Sequence, residues 1–430
     1  MSSPHNDVPA AAAPAAQQSA LSHLRVLDLS RVLAGPWCTQ NLADMGADVI
    51  KIEKPGEGDD TRHWGPPFFN DAQGNPTKQA AYFAACNRNK RSVTVDMATP
   101  EGQQIIRELA AQSDVVVENF KTGGLQRYGL DYESLRALNP RLIYCSVTGF
   151  GHTGPYAARP GYDLLMQAMS GMMSITGHAD GEPGGGPMKV GVAVTDLFTG
   201  MYATTAILVA LEARHRTGRG QHIDIALLDV AMAMLGNQGA GFLNAGSIPK
   251  RMGNIHPSVV PYQDFPTSDG NMLLAIGNDG QFARFCEAVG VQWHKDERFA
   301  TNTGRVNHRK LINAIVAEIA LTKTTSEWVS LLEAHMVPCG PINHIGQAFD
   351  DPQVKARGLR VEQERYPGQE TGPGVVQTIA SAASPLRLSE TPPTLRYAPP
   401  ELGQHTEQVL RDYLQIDAAR LQSLREQGVV

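Results

Sequence analysis

Short apolar runs alternate with amphipathic segments through the first 150 residues of the chain. Helices are predicted at 36–46, which Pro36 opens and Gly46 closes, and at 99–112, whose apolar residues share one face. The second begins with Thr99 and Pro100, a typical N-cap and first helical residue. Five runs have the character of buried strands, and they lie at 24–30, 47–53, 91–97, 114–120 and 141–147. Strands that alternate with helices predict an α/β fold with a doubly wound, parallel sheet.

After residue 160 the pattern becomes helical, with helices predicted over 163–174, 197–215 and 223–240. The segment from 197 is apolar on nearly all sides, so we expect this helix to be buried. A hairpin-like pattern at 265–280 is followed by further helical segments, which indicates a second, smaller α/β domain.

These changes of pattern divide the chain into five parts. They are a flexible Ala/Pro tail (1–20), a large domain (21–225), a linker helix region (226–245), a small domain (246–350) and a Pro-rich C-terminal segment (351–430). The tail lacks the basic start and apolar centre of a signal peptide. The longest apolar run, 197–211, is shorter than the roughly 20 residues that a membrane span needs, so we expect no membrane association.

Composition and charge exclude several classes of protein. The 430 residues are 42% hydrophobic and 19% charged, as in a globular protein, and the net charge is −6. This charge disfavours a general nucleic-acid surface, so an anionic ligand would need a local basic cluster. The five cysteines form no C-x-x-C pair, which is typical of reduced thiols and predicts a cytoplasmic location.

Common sequence motifs for cofactor and metal binding are either absent or lack the secondary structure that they require. The stretch "GFGHTG" (149–154) matches G-x-G-x-x-G and follows a strand, but Pro155 and a loop replace the helix that would hold a pyrophosphate. The chain has no phosphate-binding loop of the G-x-x-x-x-G-K-[ST] type and no G-x-S-x-G elbow. Its 13 histidines offer no H-x-x-x-H pattern, so we expect no metal site.

One carboxylate, Asp196, lies in the otherwise apolar stretch "KVGVAVTDLFTG" (189–200). As a helix N-cap it would accept backbone N–H bonds. As a nucleophile it would be kept ionised by the helix N-terminus and made reactive by apolar walls. The two roles are compatible, and the Gly-rich segment 177–191 before it suits a site that opens and closes.

Several separate stretches resemble the class III coenzyme A transferases, the family of formyl-CoA:oxalate and carnitine CoA-transferases. The resemblance covers about 21–430 and rests on "RVLDLSRVLAGPWCTQNLADMGADVIKIEKPGEGDDTR", "NRNKRSVTVDM", "DVVVENFKTGGLQRYGL", "VTDLFTGMYATTAILVALEARHRTGRGQ", "VPCGPIN" with "DDPQV", and "LGQHTEQVL". It implies a Rossmann-like large domain to which the C-terminal segment returns, a small domain, and an interlocked homodimer. It also implies CoA as substrate with no permanently bound cofactor.

In this family one aspartate is the nucleophile, and Asp196 stands in its place. The implied chemistry is a double displacement through a mixed anhydride and an aspartyl-CoA thioester. Implied CoA contacts are Val32, Leu33, Ala34, Lys54, Val95, Ala98, Asn119, Phe120 and Arg127. Leu33 replaces a Gln of related transferases, Lys54 replaces an Arg and Ala98 replaces a Lys. Without the resemblance, Lys54 and Arg127 would be read as solvated surface charges.

Tyr162 distinguishes the transferases from the 2-methylacyl-CoA racemases, which share the fold and carry His at this position. Tyr is a poor general base near pH 7, which disfavours the racemase alternative. Asp163 is either a helix N-cap or an acid that lines the substrate pocket, and the match also places Tyr82 there. A third alternative, a non-catalytic CoA-binding protein, is disfavoured by the intact nucleophile position.

The small domain lacks the four-glycine run of formyl-CoA:oxalate enzymes and has "GNIHPSVVPYQDFPTSDG" (253–270) instead. This stretch resembles branches that use succinyl-CoA and small dicarboxylic acids, so we expect that donor and such an acceptor. A second carboxylate would need a cation, for which Arg31, Arg62 and His256 are candidates.

Overall fold

The computed structural model describes residues 19–368 and 372–430, which form two compact units. The first unit contains the described residues up to Met166 together with 193–234 and 358–430, and the second contains 167–192 and 235–357. The predicted tail, 1–20, lies outside the described residues except for its last two positions. The predicted large domain included 167–192, which the structure groups with the smaller unit.

The elements are as follows. The strands are β1 (Arg25–Asp28), β2 (Asp48–Glu53), β3 (Phe68–Asn70), β4 (Pro76–Ala80), β5 (Lys90–Thr94), β6 (Val115–Glu118), β7 (Ile143–Thr148), β8 (His222–Ala226), β9 (Tyr262–Pro266), β10 (Asn271–Ala275), β11 (Cys339–Pro341), β12 (Arg360–Glu364) and β13 (Thr378–Ala382). The helices are α1 (Ala34–Asp44), α2 (Ala81–Ala84), α3 (Pro100–Ala111), α4 (Tyr132–Leu138), α5 (Asp163–Met169), α6 (Met172–Ile175), α7 (Val194–Thr217), α8 (Leu227–Ala233), α9 (Gly236–Ala245), α10 (Asp279–Val289), α11 (Asn302–Asn307), α12 (Arg309–Ala320), α13 (Thr325–Ala334), α14 (Ile345–Asp350), α15 (Pro352–Ala356), α16 (Thr406–Leu414) and α17 (Ala418–Glu426).

The first unit is built on a six-stranded parallel sheet of order β5-β2-β1-β6-β7-β8. The order reverses between β1 and β6, as in a doubly wound Rossmann-like fold, so the predicted fold class is confirmed. The predicted helix 223–240 is wrong at its start, because "HIDIA" (222–226) is the edge strand β8. Its Ile residues alternate with polar ones, which is a strand period that five residues display too briefly to recognise.

Both faces of this sheet are covered by helices. On one face α1, α7 and α8 pack through a cluster that includes Leu42, Ile207 and Leu227. On the other, α3 and α4 share a cluster with the C-terminal helices α16 and α17, through residues such as Leu109 and Leu421. The cap and first residue predicted for α3 are confirmed, since Thr99 Oγ1 accepts the N–H of Gly102 and Pro100 begins the helix.

Helix α7 is only half-buried, so the prediction of a wholly buried helix is wrong. Its small residues Gly200 and Ala203 are buried, and a Cβ on Gly200 would lie 2.7 Å from the Ala34 carbonyl oxygen of α1. Its other face exposes large apolar side chains, namely Phe198, Met201, Tyr202, Leu208 and Val209. Periodicity could not separate these faces, because both are apolar.

By length and apolar composition alone, α7 could cross a membrane, and it is the one such helix in the described part of the chain. It is longer than the run 197–211 on which the sequence argument relied. A core helix meets the same criteria, and the buried face of α7 packs on α1 and the parallel sheet.

The second unit has its own core. A three-stranded antiparallel sheet of order β11-β10-β9 packs with α10, α12 and α13 around buried Phe265, Phe282 and Trp328. The indole N–H of Trp328 donates to the Ala320 carbonyl at 2.7 Å, so its polar atom is satisfied in the core.

Candidate active site

A cleft of about 790 Å³ opens at the carboxyl end of the parallel sheet, within the first unit. It lies at the switch point between β1 and β6, where open α/β sheets bind their ligands. Residues that follow five of the strands line it, among them Val32, Lys54, Val95, Asn119 and Gly149. Its volume falls in the usual range of ligand pockets, roughly 300–1,000 Å³.

The cleft brings together eleven of the thirteen residues expected at the site. The other two, Tyr82 and Asp163, do not line it. Those that line it are Val32, Leu33, Ala34, Lys54, Val95, Ala98, Asn119, Phe120, Arg127, Tyr162 and Asp196. They come from segments that are far apart in the chain and meet because parallel strands end at one edge of the sheet.

Asp196 is the third residue of α7 and not its N-cap, so that prediction is wrong. The cap position is Ala193, which has no side-chain capping bond. Burial and, to a smaller extent, the nearby Asp163 carboxylate raise the pKa of Asp196 to about 7. The helix N-terminus therefore does not keep this carboxyl fully ionised, because desolvation outweighs the helix dipole.

Asp163 is the first residue of α5, but its carboxylate caps a different helix. Its Oδ1 accepts the backbone N–H of Thr195 at 2.8 Å, in the first turn of α7. That bond satisfies one of the N–H groups that a helix leaves unpaired at its start. Asp163 thus fixes the turn that carries Asp196 and places a second negative charge near it.

Two tyrosines stand near this turn. The pKa of Tyr82 is raised to about 12 by burial and by the charges of Asp196 and Cys86. Its ring makes an edge contact with Trp64, which lines the cleft, at a centroid distance of 5.5 Å. Tyr162 lines the cleft directly and is 67% exposed. The Tyr82 phenol is therefore not poised as a general base near pH 7.

The loop after β1 is held in a strained conformation. Val32 has φ of 70°, which is unusual for a β-branched residue. Its N–H faces the carboxylate of Asp59 at 3.2 and 3.3 Å, and Lys51 Nζ donates to Asp59 at 2.9 Å. Both side chains of this ion pair are fully buried. Asp59, which sequence reasoning missed, therefore fixes the backbone expected to contact CoA.

Asp59 stays ionised in this buried position. Burial alone would raise its pKa, but the Lys51 charge and the hydrogen bonds from Thr61 lower the pKa to about 2. The sequence signal was present in "GEGDDTR" (56–62), yet a sequence does not show which of two adjacent aspartates is buried.

Asn119 connects the two sides of the switch point. Its Oδ1 accepts the N–H of Arg31 at 2.8 Å, and its Nδ2 donates to the Arg31 carbonyl at 2.7 Å. The next residue, Phe120, donates its N–H to Glu118 Oε2 at 2.8 Å. Burial raises the pKa of Glu118 to about 7, although the hydrogen bonds that its carboxylate accepts from Ser146 and from the Phe120 N–H oppose this. Glu118 is a second residue that sequence reasoning missed.

The remaining expected contacts are less enclosed. Lys54 pairs with Glu57 at 2.6 Å and is exposed. The guanidinium carbon of Arg127 lies 4.5 Å from the centroid of the Tyr128 ring. Ala98 donates its N–H to Asp96 Oδ1 at 2.9 Å, which closes a turn after β5.

Of the three cations expected to bind a second substrate carboxylate, two are paired with carboxylates of the protein and one belongs to the second unit. Arg62 donates to both carboxylate oxygens of Glu53, at 2.6 and 2.7 Å, and does not line the cleft. Arg31 pairs with Asp60 at 3.3 Å. His256 belongs to the second unit.

The stretch "GFGHTG" (149–154), which resembles a dinucleotide-binding motif, has a packing role. No helix follows "GFGHTG" until α5 begins at Asp163, which confirms the missing context. A Cβ on Gly161 would lie 2.5 Å from the Cα of Gly149, so the two glycines let the loop before α5 dock on the end of β7. Within the described ranges no group of His, Cys, Asp and Glu side chains is arranged to hold a metal ion.

Comparisons with known proteins identify the family of the chain. Succinate–glutarate CoA-transferase of Agrobacterium fabrum is 52% identical over 393 residues, covering 91% of this chain and 95% of the relative. Human succinyl-CoA:glutarate CoA-transferase is 42% identical over 412 residues, covering 95% and 90%. The crystal structure of a CAIB/BAIF family protein from Brucella suis has a TM-score of 0.80 and 48% identity, covering 92% of this chain and all of that chain. The family model for CoA-transferase family III matches residues 21–406, and the chain therefore belongs to CoA-transferase family III.

Proposed function

We propose that this enzyme transfers CoA from succinyl-CoA to a small dicarboxylic acid through an aspartyl-CoA thioester on Asp196. The observation that carries the proposal is the placement of Asp196, a half-buried carboxyl in the first turn of α7 that lines the cleft at the switch point of the sheet. The names of the relatives from Agrobacterium fabrum and human support the donor and the class of acceptor.

In the first half-reaction an oxygen of the Asp196 carboxylate attacks the thioester carbonyl of the donor. The C–S bond breaks, CoA leaves as thiolate, and a mixed anhydride joins the succinyl group to Asp196. The thiolate then attacks the aspartyl carbonyl carbon, the C–O bond breaks, and succinate leaves. The product is an aspartyl-CoA thioester, and no net proton or water is consumed.

In the second half-reaction the acceptor carboxylate attacks the aspartyl thioester and displaces the thiolate. The thiolate attacks the acceptor side of the new anhydride, which forms the product acyl-CoA and regenerates the Asp196 carboxylate. Water would destroy either activated intermediate, so the partial burial of Asp196 protects the transfer. Because the nucleophile is the carboxylate form, a pKa of about 7 leaves roughly half of it active at pH 7.

The proposal includes a cytoplasmic homodimer. The exposed apolar face of α7, which includes Phe198, Tyr202 and Val209, is a surface that a second copy would cover. Light scattering after size exclusion would give twice the chain mass of 46.4 kDa, and a monomer at micromolar concentration would contradict this part.

A pooled exchange assay tests the function. The protein is mixed with succinyl-CoA and a set of mono- and dicarboxylic acids, and new acyl-CoAs are identified by mass spectrometry. A new dicarboxylyl-CoA that Asp196→Asn does not form supports the proposal. Deuterium incorporation at the α-carbon of a 2-methylacyl-CoA in D2O, without any transfer, would favour a racemase instead.

A further inference from the structure

A dicarboxylic acceptor brings a second carboxylate into the cleft, and this inference rests on the proposed function. That carboxylate loses water when it is bound, so it needs a cation that is not already neutralised. Among the described residues six cations line the cleft, namely Arg31, Lys51, Lys54, Lys121, Arg127 and Arg159. Three of them are paired with Asp60, Asp59 and Glu57 respectively.

Lys121, Arg127 and Arg159 have no carboxylate partner within 19–368 and 372–430. The first two lie after β6, on the same segment as Asn119 and Phe120, where the resemblance places CoA contacts. Arg159 lies on a different segment, the loop that leads into Asp163. Arg159 therefore differs from Lys121 and Arg127, because its loop leads to the residue that bonds the first turn of α7.

The loop of Arg159 is fixed to the turn that carries the nucleophile. Gly161 packs directly on Gly149, and Asp163 accepts the Thr195 N–H at 2.8 Å, one residue before Asp196. The backbone N–H of Arg159 donates to the Tyr156 carbonyl at 2.9 Å. Arg159 thus belongs to a loop that is attached to the turn of the nucleophile, and both Arg159 and Asp196 line the same cleft.

The guanidinium of Arg159 rests on two aromatic rings. Its central carbon lies 4.5 Å from the Tyr156 ring centroid and 5.4 Å from that of Phe150. Aromatic contact orients a guanidinium through its face and leaves the N–H donors along its edge for a carboxylate, which they can bind with two hydrogen bonds.

We propose that Arg159 is a specificity-determining residue that binds the distal carboxylate of the dicarboxylic acid. The same cation would serve succinyl-CoA and the acceptor, because both acyl groups occupy the same side of Asp196 in successive half-reactions. The enzyme would then favour diacids over monoacids of equal length.

A competition assay isolates the acceptor step. Wild-type enzyme and Arg159→Gln receive succinyl-CoA with equal glutarate and pentanoate, and the ratio of glutaryl-CoA to pentanoyl-CoA is measured at early times. This ratio reports how the aspartyl-CoA intermediate partitions, so a slower donor step does not affect it. Loss of a charged hydrogen-bond partner should lower the ratio roughly 10- to 100-fold. Arg159→Lys should give an intermediate ratio, since it keeps the charge and loses the fork.

Arg136→Gln is a matched control, because Arg136 also lies over a ring, that of Tyr132 at 5.8 Å, and does not line the cleft. This control should keep the wild-type ratio. An unchanged ratio in Arg159→Gln, or a wild type that transfers to both acids without preference, would overturn the assignment of Arg159. A wild type that transfers to neither acid would instead refute the proposed function and the inference with it.

Discussion

Replacing Asp196 by Asn should abolish transfer and also make the protein more stable above neutral pH. The carboxyl titrates near pH 7 in the folded chain, whereas its ordinary value is 3.8. A carboxyl whose pKa is raised by folding binds its proton more tightly in the folded state. Stability is therefore lost as pH rises from the unfolded value through the folded value, and Asn removes that loss.

The size of the effect follows from the shift. A difference of about 3 pKa units corresponds to ~4 kcal/mol at pH 8, where both states are ionised. This is an upper bound, because Asp196 keeps some contact with solvent in the cleft. At pH 5 the folded carboxyl is mostly protonated, and the same relation gives less than ~2 kcal/mol. The advantage of Asp196→Asn should thus grow by about 2–3 kcal/mol between pH 5 and pH 8.

Thermal unfolding of both proteins across this pH range measures the effect. The gap in Tm should widen by on the order of 3 °C from pH 5 to pH 8. Asp229→Asn is the matched control, because Asp229 is also the third residue of its helix, α8, and is exposed. It should show no such widening. A Tm gap for Asp196→Asn that is constant with pH would refute the argument that burial raises this pKa.

Three further outcomes are expected. In the wild type kcat/KM should rise with pH to a plateau above about 7, because Asp196 must be ionised to attack. Asp163→Asn should move the midpoint of this pH profile to lower pH, because it removes a neighbouring negative charge. A midpoint that does not move would contradict this coupling. Glu118→Ala should raise the KM for acyl-CoA up to about tenfold, because the Phe120 N–H loses its acceptor. Glu118→Gln keeps an acceptor oxygen and should change the KM much less. Equal effects of the two variants would count against the role of that hydrogen bond. Asp59→Asn should lower the Tm and weaken CoA binding, measured by calorimetry, because it removes the carboxylate paired with buried Lys51 and weakens the hold on the Val32 N–H. A stable variant with unchanged affinity would show that the ion pair does not hold the loop.

The parts of the fold that follow from local pattern were predictable. Buried strands such as β6 are continuous apolar runs, and α3 carries its own cap, so each could be recognised from adjacent residues. The segments expected to contact CoA line one cleft because each follows a strand of one parallel sheet. The strand β8 was missed because five residues show its alternation too briefly.

Features that depend on distant packing were not predictable. The sequence gives no sign that Lys51 and Asp59 are fully buried, or that Asp163 accepts a hydrogen bond from the first turn of α7. Arg62 was a candidate from the sequence for binding a substrate carboxylate, but Glu53 neutralises its side chain. Arg159 stands out only when the pairing of every cation in the cleft is known.

The covalent intermediate tests the central claim most directly. The enzyme is incubated with succinyl-CoA without acceptor, digested, and analysed by peptide mass spectrometry. The account predicts a CoA-sized increase on the peptide that contains Asp196, removed by hydroxylamine and absent from Asp196→Asn. A wild type that exchanges CoA between acids but never carries this adduct, or carries it on another residue, would contradict the assignment of Asp196 as the nucleophile.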